Sequence, residues 1–166
     1  LSSSSITSKM DLSHVITVGV GGDSLDCDLE KRVNSYLKSH GCKYQVVKGY
    51  GMTELTATAI SSCVAANDIG CVGIPLVINT VRIVDTDTLQ ELKYNDIGEI
   101  WISGASVMLG YLNKSTETAE TVITDENGVR WIRTGDLGYM TQDGLVYHKG
   151  RIRRIYMTAH EEKKKK

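Results

Sequence analysis

The segment of the chain that is richest in chemical groups is Gly49-Tyr50-Gly51-Met52-Thr53-Glu54. Its two glycines leave the backbone around Tyr50 free, so that the ring could lie flat against a planar ligand. Thr53 offers a hydroxyl, and Glu54 offers a carboxylate, a hard oxygen ligand that Mg²⁺ accepts beside a phosphate. The same pattern predicts a loop in which Thr53 caps a helix and Glu54 lies in its first turn. Both interpretations stay open, and both can hold together.

A second glycine-containing segment, Gly21-Gly22-Asp23, joins a β-branched run to a helical pattern. Such a turn lets a ligand approach the backbone closely at the positive end of a helix. Taken alone, the segment favours a tight turn with Asp23 as the helix cap.

A third segment, Arg133-Thr134-Gly135-Asp136-Leu137, places an aspartate beside a glycine turn. Its carboxylate could accept hydrogen bonds from both hydroxyls of a ribose. The guanidinium in Gly150-Arg151 could reach ribose or phosphate oxygens with two donors. The alternative is a hairpin with Asp136 in the turn and Arg151 in solvent.

Neither the histidines nor the cysteines show the spacing of a metal site or of a nucleophile relay. The histidines are expected at the surface or in turns, and the cysteines as reduced thiols, which favours a cytoplasmic protein. These residues are His14, His40, His148 and His160, and Cys27, Cys42, Cys63 and Cys71.

Composition limits the class of protein. The chain has 166 residues, which is the size of about one domain, and 41% of them are hydrophobic. Of its 19 basic residues, four form the run Lys163-Lys164-Lys165-Lys166, so the rest of the chain is mildly acidic against 20 Asp and Glu. Nucleic-acid binding is therefore disfavoured. We expect no signal peptide, and no transmembrane segment, because no apolar run approaches the ~20 residues of a membrane span.

The first half of the chain predicts a βαβ unit. A strand over 15–20 is followed by a helix that Asp23 or Ser24 caps and Gly41 ends, and then by a strand over 43–47. The two strands should form a parallel pair with a right-handed crossover. The helix is predicted from apolar residues that recur every four positions: Leu25, Leu29, Val33 and Leu37.

The second half predicts antiparallel strands around one short helix over 115–122. The strands are expected at 79–85, 98–104, 129–133, 144–148 and 152–157. The fold class is therefore α+β, with a change of architecture near Gly73-Ile74-Pro75.

The motifs together resemble the adenylate-forming superfamily, which includes acyl- and aryl-CoA ligases, beetle luciferases and the adenylation domains of peptide synthetases. The resemblance is collinear and covers about residues 15–157. It is carried by Gly21-Gly22-Asp23-Ser24-Leu25, Tyr50-Gly51-Met52-Thr53-Glu54, Gly98-Glu99-Ile100-Trp101-Ile102-Ser103-Gly104 with Gly110-Tyr111, Thr134-Gly135-Asp136-Leu137 and Gly150-Arg151.

The resemblance implies a role for each candidate site residue. Gly21, Gly22 and Asp23 would line the adenine of ATP or AMP, and Tyr50, beside Gly51, would stack on it. Thr53 would bind a phosphate and Glu54 would hold Mg²⁺, which makes these two the catalytic residues. Asp136 would bind the ribose hydroxyls with help from Arg151.

The implied reaction is attack of a carboxylate on the α-phosphate of ATP, followed by transfer of the acyl group to a thiol, usually that of coenzyme A. Met52 favours a CoA ligase for a fatty or aromatic acid, because peptide-synthetase domains usually carry Pro there. Two alternatives stay open, an amino-acid adenylation domain and a non-catalytic nucleotide-binding module.

The sequence departs from the family in two places. Nothing before Gly21 resembles the family's phosphate loop, and no Lys-bearing C-terminal domain follows Arg151, where the hinge position holds Arg153. We therefore expect a middle part of such an enzyme, inactive alone, whose partners are those two regions of the parent protein. Three parts are expected. Residues 1–75 would be the end of an α/β AMP-binding subdomain, residues 76–150 would form an antiparallel, distorted β-barrel-like subdomain, and residues 151–166 would be a hinge and a basic tail.

Overall fold

The computed structural model describes residues 10–152, which form two β-sheets and two α-helices. The first sheet has the strand order β1-β2-β3-β4. Its strands β1 and β2 are parallel, as the βαβ pattern predicted, and the remaining neighbours are antiparallel. Its elements are β1 (Val18–Val20), α1 (Cys27–Ser39), β2 (Val46–Met52), a 3₁₀ turn (Thr53–Leu55), β3 (Ala57–Ser61) and β4 (Ile74–Pro75).

The second sheet is antiparallel and is organised around its longest strand, β8. Strand β6 pairs with one edge of β8, while β7 and β9 share the other edge at its two ends. Of the strand predicted over 152–157, only Ile152 lies within the described residues, and the basic tail lies outside them. The elements are β5 (Asn79–Val84), β6 (Gly98–Gly104), α2 (Ser115–Thr121), β7 (Val122–Thr124), β8 (Arg130–Met140) and β9 (Val146–Arg151).

The α+β prediction agrees with this architecture, and the predicted short helix is α2. The described strands form no closed barrel, so the barrel-like arrangement stays a prediction. The two sheets are joined by backbone hydrogen bonds, because Val72 N–H donates to Val146 O and Val146 N–H donates to Gly73 O, both at 2.8 Å. They also share the largest apolar core, formed by Leu55, Ala59, Ile60, Val81, Ile83, Ile100, Ile102, Ile132 and Val146.

Helix α1 begins later than predicted, because its cap is Asp26 and neither Asp23 nor Ser24. The Asp26 carboxylate accepts hydrogen bonds from the N–H groups of Asp28 and Leu29, at 2.9 and 3.1 Å. A cap satisfies donors two and three residues further along, so only the residue directly before the first turn can serve. The helix ends as predicted, with Gly41 in the left-handed region at φ +87°.

The buried face of α1 also differs from the predicted four-residue spacing. Leu29 is 45% exposed, whereas Glu30 is fully buried on the same side as Val33 and Leu37. Positions 30, 33 and 37 follow the helical three- and four-residue steps, so they form one face. A charged residue therefore lies at a core position that the count of apolar residues could not show.

Candidate functional site

Strands β2 and β8 continue through the segments that were predicted as loops or turns. Tyr50 lies inside β2, and Asp136 lies inside β8 where a turn was expected. Gly135 makes this possible by taking φ +70° within the strand, a conformation that favours glycine. The prediction of a turn at Asp136 was therefore wrong, although Gly135 does have a backbone conformation that favours glycine.

An open cleft of about 1000 Å³ lies where residues of the two sheets meet. Its lining includes four of the predicted site residues, Gly51, Thr53, Glu54 and Arg151. The rest of the lining is Met52, Glu99, Tyr111, Glu120, Thr121, Arg133, Thr134, Gly135 and Ile152.

Tyr50 and Asp136 are brought together from the two sheets. The Tyr50 hydroxyl donates to Asp136 Oδ2 at 2.8 Å. Burial, followed by the negative charge of Asp136, raises the pKa of Tyr50, so this hydroxyl stays protonated and acts as the donor. The hydrogen bond fixes the position of the ring that the resemblance assigns to adenine stacking.

The second oxygen of Asp136 is buried and accepts no hydrogen bond among the described residues. Arg151 Nε lies 3.2 Å from this Oδ1 and His148 Nε2 lies 3.5 Å from it, in ion-pair contact without hydrogen-bond geometry. Burial by itself would raise the pKa of Asp136, but the close contact with His148, the hydrogen bond from Tyr50 and the charge of Arg151 together lower it. The result is an ionised carboxylate whose Oδ1 has ion-pair contacts but no hydrogen bond among the described residues.

Glu99 holds the backbone beside Asp136 in place. Its Oε1 accepts from Gly135 N–H at 3.0 Å, and its Oε2 accepts from Trp101 Nε1 at 2.9 Å and from the Arg133 guanidinium at 3.2 Å. The Glu99 side chain is almost fully buried. The sequence pointed to Glu99 only as a member of a motif, and two of its partners, Arg133 and Gly135, come from the neighbouring strand β8.

Glu54 lies in the 3₁₀ turn that follows β2, with its carboxylate at the cleft. The Tyr111 hydroxyl donates to Glu54 Oε1 at 2.5 Å, and this hydrogen bond, more than burial, raises the pKa of Tyr111. Thr53 does not cap a helix, because the cap position is Met52 and no side chain bonds there. The exposed Thr53 hydroxyl is therefore available at the cleft.

Gly21, Gly22 and Asp23 do not line the large cleft. A Cβ on Gly21 would lie 3.5 Å from Gly49 O, which places this turn against the residue before Tyr50. Asp23 lines a second cavity of about 70 Å³ together with Lys48, Gly49 and His148. The turn therefore lies beside Tyr50, whereas Asp23 and Glu54 line different cavities.

His148 was expected at the surface or in a turn, and that expectation was wrong. It is partly buried in β9, close to Asp136, and its ring lies 5.9 Å from that of Tyr50. A signal was present in the sequence, since His148 lies two residues after the apolar Val146 and alternate residues of a strand share a face.

A buried ion pair between Lys48 and Glu30 was also missed. Lys48 Nζ additionally donates to Asp68 O at 2.7 Å, and Gly70 N–H donates to Glu30 Oε2 at 2.9 Å. The pair ties α1 to β2 directly before the Gly49-Tyr50-Gly51 segment.

A family model described as AMP-binding enzyme matches residues 2–112. The chain is 37% identical over 153 residues to 4-coumarate–CoA ligase-like 2 of Arabidopsis thaliana, covering 90% of this chain and 26% of that protein. It is 32% identical over 155 residues to luciferin 4-monooxygenase of Luciola mingrelica, covering 93% and 27%. The chain thus spans about a quarter of the length of these curated relatives.

The fold is similar to that of solved enzymes. A crystal structure of a long-chain-fatty-acid–CoA ligase from Archaeoglobus fulgidus matches with a TM-score of 0.78 at 21% identity, covering 86% of this chain and 29% of that one. Within residues 10–152, neither helix has the length and apolar character needed to cross a membrane.

Proposed function

Because this chain belongs to the AMP-binding enzyme family, we propose that the whole protein activates a carboxylic acid with ATP. A carboxylate oxygen attacks the α-phosphorus of ATP, the bond to pyrophosphate breaks, and an acyl-adenylate forms. A thiol, which we propose is that of coenzyme A, then attacks the acyl carbon and releases AMP. Catalysis of the first step is mainly electrostatic, because two anions must meet.

The observation that carries this proposal is the buried Oδ1 of Asp136, an ionised acceptor without a hydrogen-bond donor. A buried unsatisfied acceptor costs stability, and a hydroxyl group would relieve that cost. Ribose supplies two hydroxyls on adjacent carbons. Asp136 would accept from them while Arg151, at the rim of the cleft, assists.

Tyr50 and the turn at Gly21-Gly22-Asp23 would hold the adenine. The Tyr50 ring is fixed by its hydrogen bond to Asp136, which would place the base next to the ribose contact. The turn lies against Gly49, so its backbone would cover the other side of the base without side-chain obstruction.

Thr53 and Glu54 would act on the phosphates. No group of three or more His, Cys, Asp or Glu side chains in residues 10–152 could enclose a metal ion. One carboxylate at a cleft instead fits Mg²⁺, which binds through one or two carboxylates together with substrate phosphates and waters. The ion would neutralise charge on the phosphate oxygens, Glu54 would hold it, and the Thr53 hydroxyl would donate to a phosphate oxygen.

The substrate class that Met52 favours is a fatty or aromatic acid, and we propose a cytoplasmic CoA ligase for such an acid. The resemblance implies a phosphate loop and a Lys-bearing domain, and we propose that other parts of the whole protein supply both. Residues 1–166 by themselves would then give no carboxylate-dependent exchange between ATP and pyrophosphate.

The ribose contact can be tested in the whole protein by combining Asp136→Ala with 2′,3′-dideoxy-ATP. Each change alone should weaken nucleotide binding by about 1.5–3 kcal/mol, the range for hydrogen bonds to a charged group. The two changes together should cost little more than one, because they remove the same contacts. Additive losses in calorimetric titrations would show that Asp136 and the ribose hydroxyls do not meet.

A further inference from the structure

The segment over 105–114, here called the strap, runs from the end of β6 to the start of α2 and contacts the 3₁₀ turn that holds Glu54. Three hydrogen bonds join the strap to this turn and to Thr56, the residue directly after it. Thr56 Oγ1 donates to Ser106 O at 3.0 Å, and Met108 N–H donates to Glu54 O at 2.9 Å. The third bond reaches the side chain of Glu54, and it runs from the Tyr111 hydroxyl to Glu54 Oε1.

The strap is also fixed on the side away from Glu54. The Arg130 guanidinium donates to Met108 O at 2.8 Å and to Leu109 O at 3.1 Å. Tyr111 N–H donates to Thr118 Oγ1 at 2.9 Å, and that hydroxyl donates to Lys114 O at 2.7 Å. Tyr111 is therefore anchored through its own backbone, independently of its contact with Glu54.

The hydrogen bond from Tyr111 makes the two carboxylate oxygens of Glu54 different from each other. Oε1 is taken by the hydroxyl, whereas Oε2 has no hydrogen-bond partner in residues 10–152. Hydrogen bonds to an ionised acceptor are shorter and stronger than neutral ones, so this one restricts the rotamers of Glu54. Both side chains line the large cleft.

We propose that Tyr111 is a positioning residue, which holds the Glu54 carboxylate so that Oε2 meets the divalent cation that the nucleotide carries. The inference rests on the proposed function of Glu54. Outer partners of a metal-ligating carboxylate orient it, and their removal commonly weakens metal binding by 10- to 100-fold. Tyr111 would act through Glu54, whose Oε1 accepts its hydrogen bond.

The test measures Mn²⁺ binding to the whole protein saturated with α,β-methylene-ATP, using electron paramagnetic resonance of the free ion. Tyr111→Phe removes only the hydroxyl, and it should raise the Kd for Mn²⁺ about 10-fold. Tyr94→Phe is the matched control, because Tyr94 is 55% exposed, and it should leave the Kd unchanged. Thermal unfolding of each variant checks that the fold is retained.

The variant Glu54→Gln separates this inference from the proposed function. If Glu54→Gln weakens Mn²⁺ binding and Tyr111→Phe adds no further loss on top of it, Tyr111 acts through Glu54. If Glu54→Gln weakens binding but Tyr111→Phe leaves it unchanged or tightens it, the positioning role is overturned and the metal role of Glu54 stands. If Glu54→Gln has no effect, the proposed metal role itself is wrong, and the inference falls with it.

Discussion

Two buried carboxylates, Glu30 in the first sheet region and Asp136 in the second, differ in how completely they are satisfied. Glu30 has a partner on each oxygen, Lys48 on Oε1 and Gly70 N–H on Oε2. Asp136 has a hydrogen bond on Oδ2 and none on Oδ1. Both oxygens of Glu30 are thus satisfied within the chain, whereas Oδ1 of Asp136 can still accept a hydrogen bond, and the proposed ribose contact rests on that difference.

The largest effect is expected at the buried ion pair of Lys48 and Glu30. Lys48→Met leaves Glu30 charged, buried and without its cation, and it should lower the free energy of unfolding by about 3–5 kcal/mol in urea titrations. The double variant Lys48→Met with Glu30→Leu should recover most of that loss, because replacing a whole buried pair by apolar residues is often neutral. A single variant as stable as the native protein would contradict the structural role of the pair.

A third buried carboxylate, Glu99, sharpens the comparison. Both of its oxygens accept hydrogen bonds, so it should behave like Glu30 although it lies at the cleft. Glu99→Gln should cost about 1–3 kcal/mol of stability, because the amide nitrogen that replaces one oxygen cannot accept from its donors. Chemical unfolding gives the stability and calorimetry gives the nucleotide affinity. A loss of affinity without a loss of stability would place Glu99 with Asp136 instead.

The smallest effect concerns acid pH. The pKa of Asp136 is lowered from its ordinary value of 3.8, so its ionised form stabilises the folded chain above the pKa of the unfolded state. That stabilisation is lost as the pH falls below about 4 and through the folded-state pKa. Asp136→Asn should therefore flatten the acid side of a plot of melting temperature against pH. An unchanged acid slope would show that Asp136 gains nothing from its neighbours.

The sequence predicted those elements whose signals are local. Strand β6 and the parallel pair of β1 and β2 follow from short apolar runs bounded by glycine, and the short helix α2 lies between the predicted strands as expected. The cap of α1 was assigned to Asp23 or Ser24, whereas the residue that caps it, Asp26, lies only two residues further along and has a side chain of the same kind. Only the packing of the helix decides which of them precedes its first turn.

The contacts that build the site could not be predicted in the same way. Tyr50 meets Asp136 across 86 residues of chain, and Tyr111 meets Glu54 across 57. Tyr50 and Asp136 lie in strands of different sheets, and Glu54 and Tyr111 lie in a 3₁₀ turn and a loop, so each pairing depends on how distant parts of the chain pack together. The motifs identified which residues matter, but nothing in their spacing gave the partner of each one.

The hydrogen bonds that join Val72 and Gly73 to Val146 have a consequence for the order of assembly. They close a loop of more than 70 residues, from Gly73 to Val146, and such distant contacts form only after their closure entropy has been overcome. During synthesis, β9 is the last described strand to emerge, and it carries both His148 and Arg151. We therefore expect the surroundings of Asp136 to form later than the first sheet as residues 10–152 fold.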